Sequence, residues 1–355
     1  MTDVQAGPGV PAPAPALDAA WGAATVLDEM LRPIQPLLDH PGLTNLNING
    51  PGKAFVAVRG EGKRAIDLPY DFADLQDIAV CAAALNQEGD VDDTAPFAGG
   101  VLPGGHRVQI ARPPATRSGI VALSIRKPSL VTPTIADLKA GGVFEGTVGH
   151  TLARTGRRRQ DLRDLHRSGD YPAFLDAALA AGLNVALTGP QDTGKSHDLR
   201  AFTTSIPRYR RIATVEDLPE AINLHQPDVL PLFYNKGNQG TSSHTADHCI
   251  EAALRMATEV LLVQEIRDGA GFALLSALLA GLQVLFTFHA NSAAEARGRL
   301  RSMVKMHPAG MARADEEVMH DLRATLDVIV YCKRDGDNYR IEQVLYEPDA
   351  ADAAA

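Results

Sequence analysis

Apolar residues between positions 17 and 41 (Trp21, Ala24, Val26, Leu27, Met30, Leu31 and Ile34) recur at helical spacing and stop where Pro36 and Pro41 intervene. This spacing predicts an opening helix. The pattern then changes to alternation: Leu46-Asn47-Ile48-Asn49 and residues 54–58 flank Asn49-Gly50-Pro51-Gly52, a turn between two strands, and so predict a β-hairpin. Further short strands are expected at 107–110 and 120–126, with the Gly/Pro-rich segment 99–105 as a loop. The first half therefore reads as α+β.

From Tyr171 onward the period changes again. Nearly continuous apolar runs at 184–187, 211–215, 260–263 and 284–288 alternate with helical stretches. Strands that are apolar on both sides belong in a sheet covered on both faces, the α/β arrangement. The longest apolar stretch, 272–288, is interrupted by Ser276, Gly281 and Gln283. It falls short of the roughly 20 residues that cross a bilayer, and reads as a buried helix followed by a buried strand. The expected division is a tail at 1–20, an α+β domain at 21–127, a linker at 128–149 and an α/β domain at 150–355. The Pro/Ala/Gly-rich start is expected to be a disordered tail and not a signal peptide.

Charge and cysteine content narrow the chemistry. A formal net charge of -9 and only 5% aromatic residues argue against a chain that coats nucleic acid or stacks bases, because phosphate binding needs a positive field. Any nucleic-acid contact is not expected to be sequence-specific. Cys81, Cys249 and Cys332 are far apart and form no CxxC pair, so neither a disulfide framework nor a zinc site is signalled, and a reducing cytosol fits. The basic stretch 154–167, with Arg157, Arg158 and Arg159, reads either as a solvated helix face or as a contact for anionic lipid or a partner.

The chemistry-bearing motif is Gly189-Pro190-Gln191-Asp192-Thr193-Gly194-Lys195-Ser196, which satisfies GxxxxGK[ST] and lies between an apolar strand and a helix. In such a loop the backbone N–H groups of Gly189, Thr193 and Gly194 face phosphate oxygens, and the following helix adds its positive end. Lys195 neutralises β- and γ-phosphate charge and Ser196 ligates Mg²⁺. ATP and Mg²⁺ are the cofactors this predicts. The run 260–263 is followed by Gln264 and Glu265, an acid at a strand end that can polarise water or hold metal-bound water. Glu216 and His289 end two further strands. In a parallel sheet the strand C-termini line one crevice, so Lys195, Glu216, Glu265 and His289 are expected to converge.

The order of this loop, then Ile212-Ala-Thr-Val-Glu-Asp217, then Leu254-Arg255-Met256 leading to Leu261-Leu-Val-Gln-Glu-Ile-Arg267, then Thr287-Phe-His289-Ala-Asn-Ser292, resembles the secretion-ATPase superfamily. There these are the Walker A, aspartate, Walker B and histidine boxes. Tyr234-Asn-Lys-Gly-Asn-Gln-Gly240 and Leu102-Pro-Gly-Gly-His-Arg-Val108 are similar to its type IV secretion and conjugative-transfer branch. The absence of a tetracysteine motif agrees with that branch.

The resemblance implies a RecA-like P-loop ATPase domain preceded by a smaller α+β domain. It also implies a homo-hexamer, cytoplasmic and peripheral at the inner membrane, working with inner-membrane secretion components to drive export of protein or DNA or pilus assembly. It further implies that first-domain arginines, here Arg117 and Arg126, reach the nucleotide. Arg267 is expected to bridge toward a neighbour or the first domain. Several positions depart from the family pattern: Gln191 and Asp192 stand where small residues are common, Ala257-Thr258 where Arg-Pro is common, Gln264 where Gly is usual and Leu282 where a histidine is usual. Asp268 and Ala270 alter the segment after Arg267. These departures carry the alternative reading, a structural or nucleotide-binding ring subunit with degenerate motifs and little hydrolysis. With few glycines in the loop, any left-handed position falls to Asp192 or to a changed loop path.

Overall fold

Helix α1 (Ala16–Leu31) meets the helical spacing at the start of the chain and begins inside the stretch assigned to a tail. The computed structural model describes residues 16–86, 91–127, 157–217, 224–234, 244–335 and 338–347. The whole linker expected at 128–149, Arg154 of the basic stretch and the stretch 235–240 lie outside the described residues.

The first sheet has six strands: β1 (Leu43–Ile48), β2 (Lys53–Val58), β3 (Gly62–Asp67), β4 (Phe97–Val101), β5 (Arg107–Ala111) and β6 (Ala122–Arg126), in the order β3-β2-β1-β6-β5-β4. Every pairing is antiparallel. The short helix α2 (Gln35–Asp39) leads into β1, and α3 (Phe72–Leu85) starts from a reciprocal cap between Asp71 and Asp74. Leu27 and Leu31 of α1, Leu75, Ile78 and Ala82 of α3, and Leu46, Ile48, Val56, Val108 and Ile125 of the sheet close one core.

The hairpin around Asn49–Gly52 forms as expected. The loop expected at 99–105 is shorter, because residues 97–101 pair with β5 as an edge strand. A Cβ on Gly100 would lie 2.2 Å from the Asn86 side chain. Asn86, ending α3, both donates to Val101 O and accepts from Val101 N. Glycine here permits helix and strand to touch and does not mark a loop.

The second sheet has seven strands: β7 (Val185–Thr188), β8 (Ile212–Glu216), β9 (Val229–Phe233), β10 (Val260–Val263), β11 (Gln283–Phe288), β12 (Val328–Asp335) and β13 (Asn338–Tyr346). Their order is β13-β12-β7-β11-β10-β8-β9, parallel except for the β12–β13 hairpin. Strand alternation divides the apolar residues between two cores. Leu261, Val263, Val284 and Phe286 meet α7 (Ala246–Arg255), α8 (Ala270–Leu279), α9 (Ala293–Met306) and α11 (Asp315–Thr325), the last following the one-turn α10 (Pro308–Met311). Val260, Leu262 and Leu285 face the other way, toward α4 (Arg157–Ser168), α5 (Tyr171–Ala180) and α6 (Lys195–Phe202). The apolar stretch at 272–288 is accordingly helix α8 followed by strand β11. Among the described residues no helix is long and apolar enough to cross a membrane.

The first domain lies along the edge strand β9. At one end Asn49 Nδ2 donates to Asp228 Oδ1 (2.9 Å) and Lys63 Nζ to Glu259 Oε2 (2.5 Å). At the other, Phe233 N donates to Ala115 O (2.8 Å), while Ala111 and Ala122 join the core beneath α7. A sheet edge that would otherwise offer unpaired backbone groups is thus covered.

Candidate functional site

The loop that follows β7 turns through Gly189, Asp192 and Gly194, at φ values of 144°, 59° and 79°. Asp192, a residue with a Cβ, takes the left-handed position for which the loop has no glycine. Its short polar side chain tolerates this better than most, at some cost in strain. Gly189 is required for a different reason: a Cβ there would lie 2.1 Å from the carbonyl oxygen of Cys332 on β12. Gly194 opens α6 with no side-chain cap, so the first-turn N–H groups and the helix dipole are directed at the loop.

Lys195 is buried, and its Nζ folds back onto Gly189 O (3.1 Å) and Pro190 O (2.6 Å). Burial lowers its pKa, opposed by the Cys332 thiol, Glu265 and Asp192. Asp192 itself is exposed. Thr193 Oγ1 closes the turn on Pro190 O (2.9 Å). Ser196 follows in the first turn of α6, half-buried.

The other strand tips arrive in sequence across the sheet. Because β7, β11, β10 and β8 are neighbours, Lys195, His289, Glu265 and Glu216 come from four consecutive strands. His289 Nδ1 lies 2.9 Å from Gly189 O, the carbonyl that also receives Lys195, and its Nε2 lies 3.2 Å from Glu265 Oε1. Both ring nitrogens thus lie within hydrogen-bonding distance of oxygen atoms, one of the loop and one of the β10 tip. Glu265 is held in turn by Arg267, whose Nε and Nη2 take its two carboxylate oxygens. Glu216 is buried on β8 and accepts from Thr214 on the same face of that strand.

Arg267, expected to bridge toward a neighbour or the first domain, pairs in this chain with Glu265. Between the two residues Ile266 is buried and its N donates to Thr287 O (2.8 Å), which anchors the segment beyond β10 that carries both side chains. Arg117 and Arg126 are not brought to the loop within one chain. The Arg117 guanidinium lies over the Phe233 ring, 5.8 Å from its centroid, at the tip of β9. That tip is four strand spacings from β7, about 19 Å. Arg126 ends β6 away from Ala122, the end that packs on the second domain, and is exposed.

Two participants were not singled out as site residues. Thr214 holds Glu216, and an i,i+2 pairing on one strand face was available as its signal. Tyr234 follows β9, and its N donates to Glu216 O (3.0 Å). Burial pushes the Tyr234 phenol well up, with Asp217 and Glu265 adding to the shift. The donor set suits a magnesium-bound nucleoside triphosphate: an uncapped helix start and a lysine for phosphate, then a hydroxyl and two carboxylates on adjoining tips for a hard cation and its waters.

A parallel sheet carrying such a loop, with acids and a histidine at the adjoining tips, defines a P-loop ATPase with a RecA-like core. The chain belongs to the family described as "Type II/IV secretion system protein", whose model matches residues 158–335 and whose members are P-loop ATPases. It is 32% identical over 332 residues to "Protein VirB11" of Rhizobium radiobacter, covering 90% of this chain and 94% of that protein. It is 30% identical over 331 residues to "Type IV secretion system protein VirB11" of Bartonella quintana, covering 90% and 92%. The crystal structure of the VirB11 ATPase of the Brucella suis type IV secretion system, in complex with sulphate, superimposes with a TM-score of 0.86 at 28% identity, covering 95% of this chain and 98% of that one.

Proposed function

We propose that this chain hydrolyses Mg·ATP as a homo-hexamer, cytoplasmic and peripheral at the inner membrane, to energise a type IV secretion apparatus that exports protein or DNA or assembles a pilus. The observation that carries the reading is the convergence of Lys195, His289, Glu265 and Glu216 on four adjacent strand tips. In this reading Lys195 exchanges the Gly189 and Pro190 carbonyls for β- and γ-phosphate oxygens, and the N–H groups of Gly189, Thr193 and Gly194 and of the start of α6 cradle the phosphates. Ser196 and Glu265 hold Mg²⁺, which supplies neutralisation of the phosphate charge when bound. Glu216 and Glu265 orient the attacking water, and His289 contacts the γ-phosphate. Arg117 and Arg126, remote from the loop of their own chain, serve a neighbour's nucleotide in the ring.

Basic residues along 154–167 are the proposed membrane or partner contact. Leu162 and His166 of α4 are occupied on the body of the domain, His166 Nε2 lying 2.8 Å from Val344 O.

Magnesium-dependent phosphate release by the full chain, beside Lys195→Ala, tests the assignment. Turnover is expected in the wild type and loss of both turnover and ATP binding in the variant; unchanged ATP affinity in the variant would remove the assignment. A second reading, a ring subunit that binds nucleotide with little hydrolysis, is favoured by Asp192 beside Lys195 and by the engagement of Glu265 with Arg267. It predicts that ATP raises the melting temperature while phosphate release stays at background.

A further inference from the structure

We propose that Arg267 is a restraint on Glu265, and that turnover requires the guanidinium to let the carboxylate go. The inference rests on the ATPase reading above and concerns the control of that site. A carboxylate has about four acceptor positions. Arg267 takes one on each oxygen in a fork, and His289 takes another on Oε1. The negative charge that would orient a water is thereby directed into a charge-assisted pair, the geometry in which arginine holds a carboxylate most firmly.

The pair is built into the backbone. Ile266, between the two residues, is anchored by burial and by its bond to Thr287 O. Asp268, immediately after, takes a left-handed φ of 48°, a strained conformation of the kind that collects at switch segments. The Arg267 side chain is nearly half-exposed, at 47%, whereas that of Glu265 is 20% exposed, so the arginine is the partner free to move.

It also has somewhere to go. The Arg267 guanidinium feels Asp217 and Tyr234 as well as Glu265, and Asp217 follows Glu216 at the tip of β8, the next strand. A guanidinium that leaves Glu265 stays in the field of this second carboxylate. The contacts also connect this pair to the phosphate loop. Gly189 O receives both Lys195 and His289, and His289 reaches Glu265. Drawing Lys195 and His289 toward phosphate therefore removes one of the contacts that hold Glu265 beside Arg267.

Steady-state ATP hydrolysis and binding of a fluorescent ATP analogue, measured on the full chain, test this with Arg267→Gln, Arg267→Lys, Asp217→Asn and the Arg267→Gln/Asp217→Asn double variant. Losing the fork is expected to raise kcat about fivefold with nucleotide affinity unchanged, the factor that opening a half-exposed ion pair supplies. Arg267→Lys, which keeps the charge and loses the fork, gives a smaller rise, and covers the case in which the glutamine variant folds poorly. Asp217→Asn lowers kcat in the wild type and has no effect in the Arg267→Gln background, a dependence that a merely structural arginine would not produce. A fall in kcat for Arg267→Gln at unchanged affinity overturns the inference, since Arg267 would then assist the transferring phosphate, and leaves the ATPase reading standing. A chain that neither binds nor hydrolyses ATP in any form removes the ATPase reading itself.

Discussion

At the scale of single residues, Asp192 combines two effects that substitution can separate. Its φ of 59° strains the backbone, and its carboxylate lies near enough to Lys195 to raise that lysine's affinity for protons. Toward a triphosphate the same carboxylate is repulsive. A unit charge about 5 Å from a phosphate oxygen costs roughly 3 kcal/mol at an effective dielectric near 20, and the exposure of Asp192 reduces this through solvent screening. Asp192→Asn removes the charge and keeps a side chain tolerant of left-handed backbone. It is expected to tighten ATP binding about tenfold, or about 1.4 kcal/mol, in titration calorimetry. Asp192→Gly should bind as tightly and also melt higher; equal affinity in wild type and Asp192→Asn would mean the carboxylate faces away from the phosphates. The left-handed position was legible in the sequence, because the loop has too few glycines to fill it. The Arg267–Glu265 pair was not, since it depends on the path of the segment beyond β10, where Ile266 is anchored to Thr287 O, and nothing local to those residues announces it.

At the scale of elements, the apolar runs that alternate with helices disclosed β7, β8, β10 and β11, and with them the crevice at their tips. The strands that escaped are those whose composition contradicts their conformation. Strand β9 contains Pro231, tolerated because among the described residues β9 pairs with β8 alone and has no strand ladder on its far side. Strand β4 contains Gly99 and Gly100, and the β12–β13 hairpin carries the exposed Lys333 and Arg334.

The start of β9 also holds a buried pair that periodicity cannot show. Arg211, 0% exposed, bonds Asp228, 2% exposed, and Asp228 accepts from Asn49 of the first domain. Burial lowers the Arg211 pKa and Asp228 opposes that shift. Asp228→Ala would leave the guanidinium buried without its carboxylate, and is expected to destabilise the chain by about 3–5 kcal/mol in urea denaturation. Lys63→Ala, which removes a partly exposed partner of Glu259, should cost less than about 1 kcal/mol. If the two variants unfold at the same urea concentration, the buried Arg211–Asp228 pair contributes no more to stability than the partly exposed one.

At the scale of the whole molecule, the two domains meet along β9, which leaves Arg117 about four strand spacings, roughly 19 Å, from the loop that holds Lys195. No side-chain rotation closes that gap, so while the first domain stays seated on β9 any help that Arg117 or Arg126 gives to hydrolysis goes to another copy of the chain. Catalysis then becomes a property of the assembly: a ring supplies each nucleotide with a loop from one subunit and an arginine from the next, as closed head-to-tail interfaces permit. Turnover per chain should therefore rise with protein concentration until assembly is complete. Lys195→Ala and Arg117→Ala/Arg126→Ala chains, each inactive alone, should regain part of the wild-type rate when mixed, because some interfaces then join an intact loop to an intact arginine pair. The measurement is phosphate release from the mixture against the two separate preparations, with mixed assembly verified by differential tagging. Mixed rings that form and remain inactive would show that the arginines act inside their own subunit, and would require the first domain to leave β9 during the cycle, breaking the Asn49–Asp228 and Ala115–Phe233 contacts that now hold it there.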